Sequence, residues 1–280
     1  MVLEQFLPAE VVEKRPLLSF VLGFVYSLVS IFVASLIFKS SCGQFAVAFA
    51  ALLLFPIINR ILLIEEKQAS HEKKISFRTI LRDHSDVFEV FLFMFFGIFT
   101  AFVLVSLFVK SDSLVTLFNP QLRRVGILGN VFADHELFWR IYLNNLLVLI
   151  VCFLLSIFYG AGSIVFLAWN ASVWGVFFGY SARYAFAKLS PIVGFITYTL
   201  PYVPHMITEA TSYLFGAFSG GIFSRALSTE LLHGDYTFSK KKFIIADRKI
   251  FQDSIMFLFL SFLMVTVAAI LEVYVFPLII

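Results

Sequence analysis

Long apolar runs separated by short polar segments dominate this chain. Several runs reach the roughly 20 residues that a helix needs to cross a hydrocarbon core about 30 Å thick. The pattern predicts spans at residues 16–38, 45–64, 87–109, 141–159, 163–182 and 254–276, and a less apolar helix at 204–225. We therefore predict an all-α, polytopic membrane protein with about 6–7 transmembrane helices.

The segment 183–210 interrupts this pattern. Pro201 and Pro204 each lack a backbone donor and disfavour helix in the residue before them, so the chain must break here. A new helix is expected to begin with Pro204 in its first turn. The residues before it form either a short re-entrant helix or the first half of a broken span. Irregular backbone at this depth is tolerated where it is buried in protein or lines a cavity.

Polar side chains inside these apolar segments are the candidate functional residues. His205 and Glu209 are four residues apart and share one helix face. A carboxylate inside a membrane needs a partner, so Glu209 marks a functional-site hypothesis.

Three asparagines could supply that partner. Asn144 and Asn145 open the fourth span, and adjacent helical residues point in different directions, so at most one of them faces a given neighbour. Either both are interfacial residues near the start of the helix, or one of them hydrogen-bonds Glu209 or a carbonyl freed near Pro201 or Pro204. Asn170 in the fifth span is either interhelical glue or part of the same cluster. The predicted intramembrane polar site comprises Asn144, Asn145, Asn170, His205 and Glu209.

Small residues recur at every fourth position in two of the later helices. Such stripes allow close helix–helix approach in lipid. We predict that the two faces pack against each other, which would bring Asn170 towards Glu209. The helix-packing residues are Ala171, Gly175 and Gly179 on one helix and Ser212, Gly216 and Gly220 on the other.

Composition narrows the function classes. The chain of 280 residues is 60% hydrophobic and 14% charged, whereas soluble domains carry about 25% charged residues. A net charge of +3 over this length is not the footprint of a nucleic-acid-binding protein. With the N-terminus in the cytoplasm, most of the 21 lysines and arginines lie on the cytoplasmic side. We expect a multi-pass cell-membrane protein, with segment 240–249 lying on anionic lipid.

The motifs of enzymes and metal proteins are not found. Cys42 and Cys152 lack metal-ligand spacing and do not form a disulfide framework. His205 and Glu209 have no second ligand pair within a span, and Glu272 near the end of the last span is expected to be interfacial. An intramembrane hydrolase would need a nucleophile or metal set. We predict no enzymatic activity, no metal and no cofactor.

The order of these polar and glycine positions resembles the stage II sporulation protein M family over roughly residues 85–275. The matching positions are Asn144-Asn145, Asn170 with Gly175, Pro204-His205 with Glu209, then Gly216 and Gly220. The resemblance implies residues 87–280 as the family's membrane core and residues 1–86 as a two-helix extension with a cytoplasmic loop. The family's founding member is a membrane-embedded organiser of peptidoglycan-degrading enzymes during engulfment, and the family supplies no catalytic residues.

Two functions remain open from the sequence. One is a non-enzymatic scaffold that holds membrane or envelope proteins, or further copies of itself, in the lipid bilayer. The alternative is a transporter or channel for a small solute or lipid, which would use the broken helix and the His205–Glu209 pair. No nucleic-acid partner is expected.

Overall fold

The computed structural model describes residues 8–69, 85–124, 135–159, 161–188, 193, 200–232 and 240–275. These residues are almost entirely helical and contain no strand. They form nine helices: α1 (Ala9–Glu13), α2 (Pro16–Ile37), α3 (Cys42–Ala69), α4 (Ser85–Phe108), α5 (Ser111–Arg124), α6 (His135–Tyr159), α7 (Ile164–Lys188), α8 (Val203–Leu232) and α9 (Lys240–Ile270).

Six segments of the described residues are long and apolar enough to cross a membrane. They are Pro16–Ile37, Lys39–Leu62, Ser85–Phe108, Glu136–Phe158, Ala161–Arg183 and Phe251–Val275. Helix α8 has 30 residues but is not among them. The predicted all-α, polytopic membrane fold is confirmed.

Several helices extend beyond the predicted spans, because apolar runs mark the part of a helix that suits lipid and not where the helix ends. Helix α6 begins at His135 and α7 continues to Lys188. The backbone of segment 240–249, which is predicted to lie on anionic lipid, is the start of α9.

The predicted chain break lies just before α8. Pro201 is in a single 3-10 turn, Leu200–Tyr202, and α8 begins at Val203 with Pro204 in its first turn. Whether the chain before α8 forms a re-entrant helix or half of a broken span depends on residues 189–199. Apart from Val193, these lie outside the described residues.

Helix α5 fills the connection between α4 and α6. Its backbone departs from helical geometry at Phe118, with φ −120° and ψ 24°, two residues before Pro120, which cannot donate a helical hydrogen bond. One face is buried, and Gln121 Nε2 donates to Ser172 Oγ on α7 at 3.4 Å. This packing places the end of α5, and therefore Arg124, beside the later helices.

Helices α2 and α4 approach each other through reciprocal glycines. Gly23 lies against the backbone carbonyl of Met94, and Gly97 lies against that of Phe20. A Cβ atom at either glycine would overlap the facing backbone, so only glycine permits this separation.

The glycine stripe of α7 packs against α4. Gly175 faces the carbonyl of Phe99, and Gly179 faces the carbonyl of Val103, each 2.6 Å from the position that a Cβ atom would occupy. Ala171, the first residue of this stripe, is fully buried.

The glycine stripe of α8 packs against α6 instead. Gly216 contacts the side chain of Leu149, and Gly220 contacts the carbonyl of Phe153. The predicted packing of the two stripes against each other is therefore wrong. A small-residue face fits any helix backbone, so spacing alone does not identify the partner.

Hydrogen bonds add to the packing around α8. Ser219 Oγ donates to the carbonyl of Ser254 on α9 at 2.7 Å, and Ser254 Oγ donates back to the carbonyl of Ser219 at 2.9 Å. On the other side, Ser224 Oγ donates to the carbonyl of Ile157 on α6 at 2.6 Å. Helix α8 is thus held between α6 and α9.

Candidate functional site

Glu209 lies at the centre of the candidate site, on α8 and 5% exposed. Each of its carboxylate oxygens accepts a hydrogen bond. Trp174 Nε1 on α7 donates to Oε2 at 3.0 Å. Tyr213, one turn further along α8, donates its hydroxyl to Oε1 at 2.9 Å. Such charge-assisted hydrogen bonds compensate for removing the carboxylate from water.

His205 connects Glu209 to α9 and is 1% exposed. Its Nδ1 lies 2.9 Å from the carbonyl oxygen of Ala268. Because a carbonyl oxygen only accepts, Nδ1 carries the proton of this hydrogen bond. The other ring nitrogen, Nε2, lies 3.4 Å from Glu209 Oε2 and 3.4 Å from Glu272 Oε2.

Glu272 belongs to a π-helical turn, Leu271–Val275, which continues α9. Turns of this kind are rare and occur frequently at functional sites. The Glu272 side chain is 35% exposed, and its Oε2 lies 3.4 Å from His205 Nε2. It is more exposed than His205 and Glu209, which it approaches.

Arg124 reaches the same region from the end of α5. Its Nη2 donates to Asn145 Oδ1 on α6 at 3.1 Å. Asn145 is buried, whereas Arg124 is exposed. The Asn144 amide lies beside that of Asn145, with an N–O distance of 3.1 Å.

A cavity of about 50 Å³ connects these groups. It has room for a few water molecules. Asn170 on α7 also borders it, and its Nδ2 donates to the carbonyl of Phe166 in its own helix at 2.9 Å. The lining residues are Arg124, Ile141, Asn145, Asn170, Val173, Trp174, His205, Glu209 and Glu272.

The structure brings four of the five residues of the predicted polar site to this cavity. His205, Glu209, Asn145 and Asn170 all line it, whereas Asn144 lies next to Asn145 outside the lining. Within the described part of the chain, Asn145 bonds Arg124 and Asn144, and Asn170 bonds the carbonyl of Phe166, so neither lining asparagine shares a hydrogen bond with Glu209.

Four residues of the site were not expected from the sequence: Arg124, Trp174, Tyr213 and Glu272. Two of them carried a usable signal, because Tyr213 is four residues after Glu209 and Trp174 is four residues after Asn170. Arg124 and Glu272 had no local signal linking them to His205, since they come from distant elements.

The chemistry available here is that of hydrogen bonds, ion pairs and protons. Two carboxylates, an imidazole and a guanidinium share one small polar cavity. Within the part of the chain that the structure describes, no group of three or more His, Cys, Asp or Glu residues has a geometry that could hold a metal ion.

Comparison with known proteins identifies one family. The family model for Stage II sporulation protein M matches residues 90–277. This range includes every residue that lines the cavity. No curated protein and no solved structure matches the chain.

Proposed function

This chain belongs to the stage II sporulation protein M family and is a multi-pass membrane protein, and we propose that it acts as a membrane-embedded, non-enzymatic scaffold. It holds other membrane or envelope proteins, or further copies of itself, in the cell membrane. Its N-terminus lies in the cytoplasm, on the side that carries most of the basic residues.

The main support for this proposal is that both carboxylate oxygens of Glu209 accept hydrogen bonds from side chains of the protein itself. Trp174, Tyr213 and His205 surround the carboxylate and connect α7, α8 and α9. A carboxylate used in this way fixes the relative positions of three helices. The cavity of about 50 Å³ is also much smaller than the roughly 300–1,000 Å³ of pockets that bind small molecules.

Partner proteins would contact the outward faces of the bundle. Phe32 and Leu36 on α2 and Leu147 and Phe158 on α6 are each more than half exposed. In a membrane these side chains contact either lipid tails or the helices of another protein. Helix α2 precedes the family match and α6 lies within it. Probing one face on each helix therefore tells whether a partner contacts the N-terminal extension or the family core.

Photo-cross-linking in native membranes tests the scaffold. A photoreactive amino acid replaces Phe32 in one variant and Leu147 in another. We expect at least one face to give a discrete protein adduct, which persists when Glu209→Gln is added to a variant that remains folded. If both faces give lipid adducts only, the scaffold proposal is wrong.

A transporter or channel is the second candidate, favoured by the polar lining of the cavity and the exposed Arg124 at its edge. Proteoliposomes containing a pH-sensitive dye measure the passage of protons, including protons that move together with a solute. A transporter loses this flux in a folded Glu209→Gln variant, whereas a scaffold has no flux to lose and retains its cross-links.

A further inference from the structure

The two nitrogens of His205 have different surroundings. Nδ1 donates to the carbonyl of Ala268 at 2.9 Å, which fixes a proton on that nitrogen. Nε2 faces Glu209 Oε2 and Glu272 Oε2, both at 3.4 Å. Three groups that can each accept a proton therefore converge on one point.

This convergence requires a proton. If Nε2 carried a lone pair and both carboxyl groups were ionised, Nε2 would face two further acceptors, Glu209 Oε2 and Glu272 Oε2, each at 3.4 Å and with no proton between them. Two negative carboxylates beside one ring nitrogen favour proton uptake. We propose that His205, Glu209 and Glu272 form a binding site for one exchangeable proton. This inference does not depend on whether the protein is a scaffold or a transporter.

The charges around the cavity balance when the proton is bound. Arg124 and a protonated His205 then offset the carboxylates of Glu209 and Glu272. Loss of the proton leaves one net negative charge in surroundings of low dielectric constant, which is unfavourable.

Other groups that face the cluster come from the neighbouring elements. Among the described residues, Tyr213 on α8 donates to Glu209, and Tyr202 in the turn before α8 interacts electrostatically with Glu272. Helices α6 and α7 contribute the uncharged side chains of Asn145, Asn170 and Trp174. The carboxylates and His205 are therefore the groups that exchange the proton.

The two carboxylates of the site differ in exposure, and this difference indicates the side from which a proton reaches His205. The Glu209 side chain is 7% exposed and accepts two hydrogen bonds, whereas the Glu272 side chain is 35% exposed. Asn145 and Asn170 border the cavity and can hold water beside the cluster. Because Glu272 is the more exposed of the two carboxylates, we expect the proton to enter there and to pass from its carboxyl oxygen to Nε2 of His205.

Histidine 15N NMR and infrared spectroscopy of the full chain in nanodiscs test the site. NMR reports the protons on the two His205 nitrogens, assigned by comparison with His205→Gln, and the infrared carbonyl band reports protonated carboxyl groups. We expect Nδ1 to stay protonated while the cluster loses one proton as pH rises.

Glu272→Gln provides the diagnostic shift, with Glu136→Gln as its matched control because Glu136 is exposed at the start of α6. Without the Glu272 carboxylate, the remaining groups should release the proton about 1–3 pH units lower, the range that one nearby opposite charge produces. The control should leave the midpoint unchanged.

If Glu272→Gln does not fold, measurements on the unmodified chain still test the proton site. Unchanged protonation throughout the pH range in which the chain is folded would show that the proton is not exchangeable. An Nδ1 without a proton would show that the geometry of the site is different. If the folded Glu272→Gln chain and the wild-type chain release the proton at the same pH, Glu272 does not belong to the site. Each of these results overturns the proposal.

Discussion

Two regions of the protein are both packed through glycines that allow close helix contact: the pair of helices α2 and α4, and the later group of helices α6, α7, α8 and α9. They differ in the polar side chains that they bury. Between α2 and α4, Gly23 and Gly97 allow close contact with the facing backbone, as Gly220 does between α8 and α6, where Gly216 contacts the side chain of Leu149. The buried Ser27 of α2, however, has no hydrogen-bond partner among the described residues. The later helices instead enclose a connected set of ionisable groups. Close packing is thus common to both regions, whereas the polar cluster belongs to the later one.

Glu209→Ala should have the largest effect on this difference. It leaves the buried Trp174 Nε1, Tyr213 hydroxyl and His205 Nε2 without their shared acceptor. Removing one partner of a buried charged pair costs about 3–5 kcal/mol. Equilibrium unfolding in lipid or detergent measures the loss, with exposed Glu136→Ala as the control. Equal losses in both variants would mean that Glu209 is not buried in a polar cluster.

Trp174→Phe should have the next largest effect. The phenyl ring retains most of the apolar contact but cannot donate to Glu209. Hydrogen bonds to charged groups contribute about 1.5–3 kcal/mol. The same unfolding measurement applies, and Trp139→Phe is the matched control because Trp139 is 49% exposed. If Trp174→Phe lowers the free energy of unfolding no more than the control does, the indole does not form a stabilising hydrogen bond with Glu209.

Gly220→Ala tests the packing device that both regions share. Its new methyl group would overlap the carbonyl of Phe153, whereas a methyl group at the adjacent Gly221 meets nothing within 4 Å. Overpacking of this kind costs about 1–3 kcal/mol. Unfolding should show a loss for Gly220→Ala and none for Gly221→Ala.

The same change in the earlier region sharpens the comparison. Gly97→Ala would overlap the carbonyl of Phe20 and should cost a similar amount, about 1–3 kcal/mol. If Gly97→Ala is harmless while Gly220→Ala is destabilising, the two regions do not share this mode of packing.

Ser219→Ala should give the smallest effect. It removes a hydroxyl that donates to α9, and intramembrane hydrogen bonds average about 0.6 kcal/mol. Ser30→Ala on α2 is the control, because Ser30 Oγ has no partner within the described residues. Unfolding free energies should fall for Ser219→Ala and stay constant or rise for Ser30→Ala.

Local signals in the sequence were enough to predict part of the site. The i,i+4 spacing of His205 and Glu209, with prolines just before them, predicted two polar residues on one face of a helix that begins near Pro204. The length of the apolar runs predicted the class of fold. These predictions succeeded because each depends on residues that are close together in the chain.

Contacts between distant elements were not predictable in the same way. Both glycine stripes indicated close helix packing, but any helix backbone could have been the partner of either. Glu272 was expected at the interface because of its position near the end of a span, and nothing in its neighbourhood indicated that a π-helical turn would place it 3.4 Å from His205. The position of Arg124 depends on how α5 packs against α3 and α7, and the residues around Arg124 in the sequence do not indicate this packing.

The coupling between Trp174 and Glu209 tests the central claim most directly, namely that Glu209 is held inside the bundle by donors on its own helix together with Trp174 of the neighbouring helix α7. A double-mutant cycle combines Trp174→Phe with Glu209→Leu, which removes both carboxylate oxygens. Contacting residues show coupling of about 0.5–3 kcal/mol, so Trp174→Phe should cost much less when Glu209 is already replaced. Additive losses from the two substitutions would contradict the account.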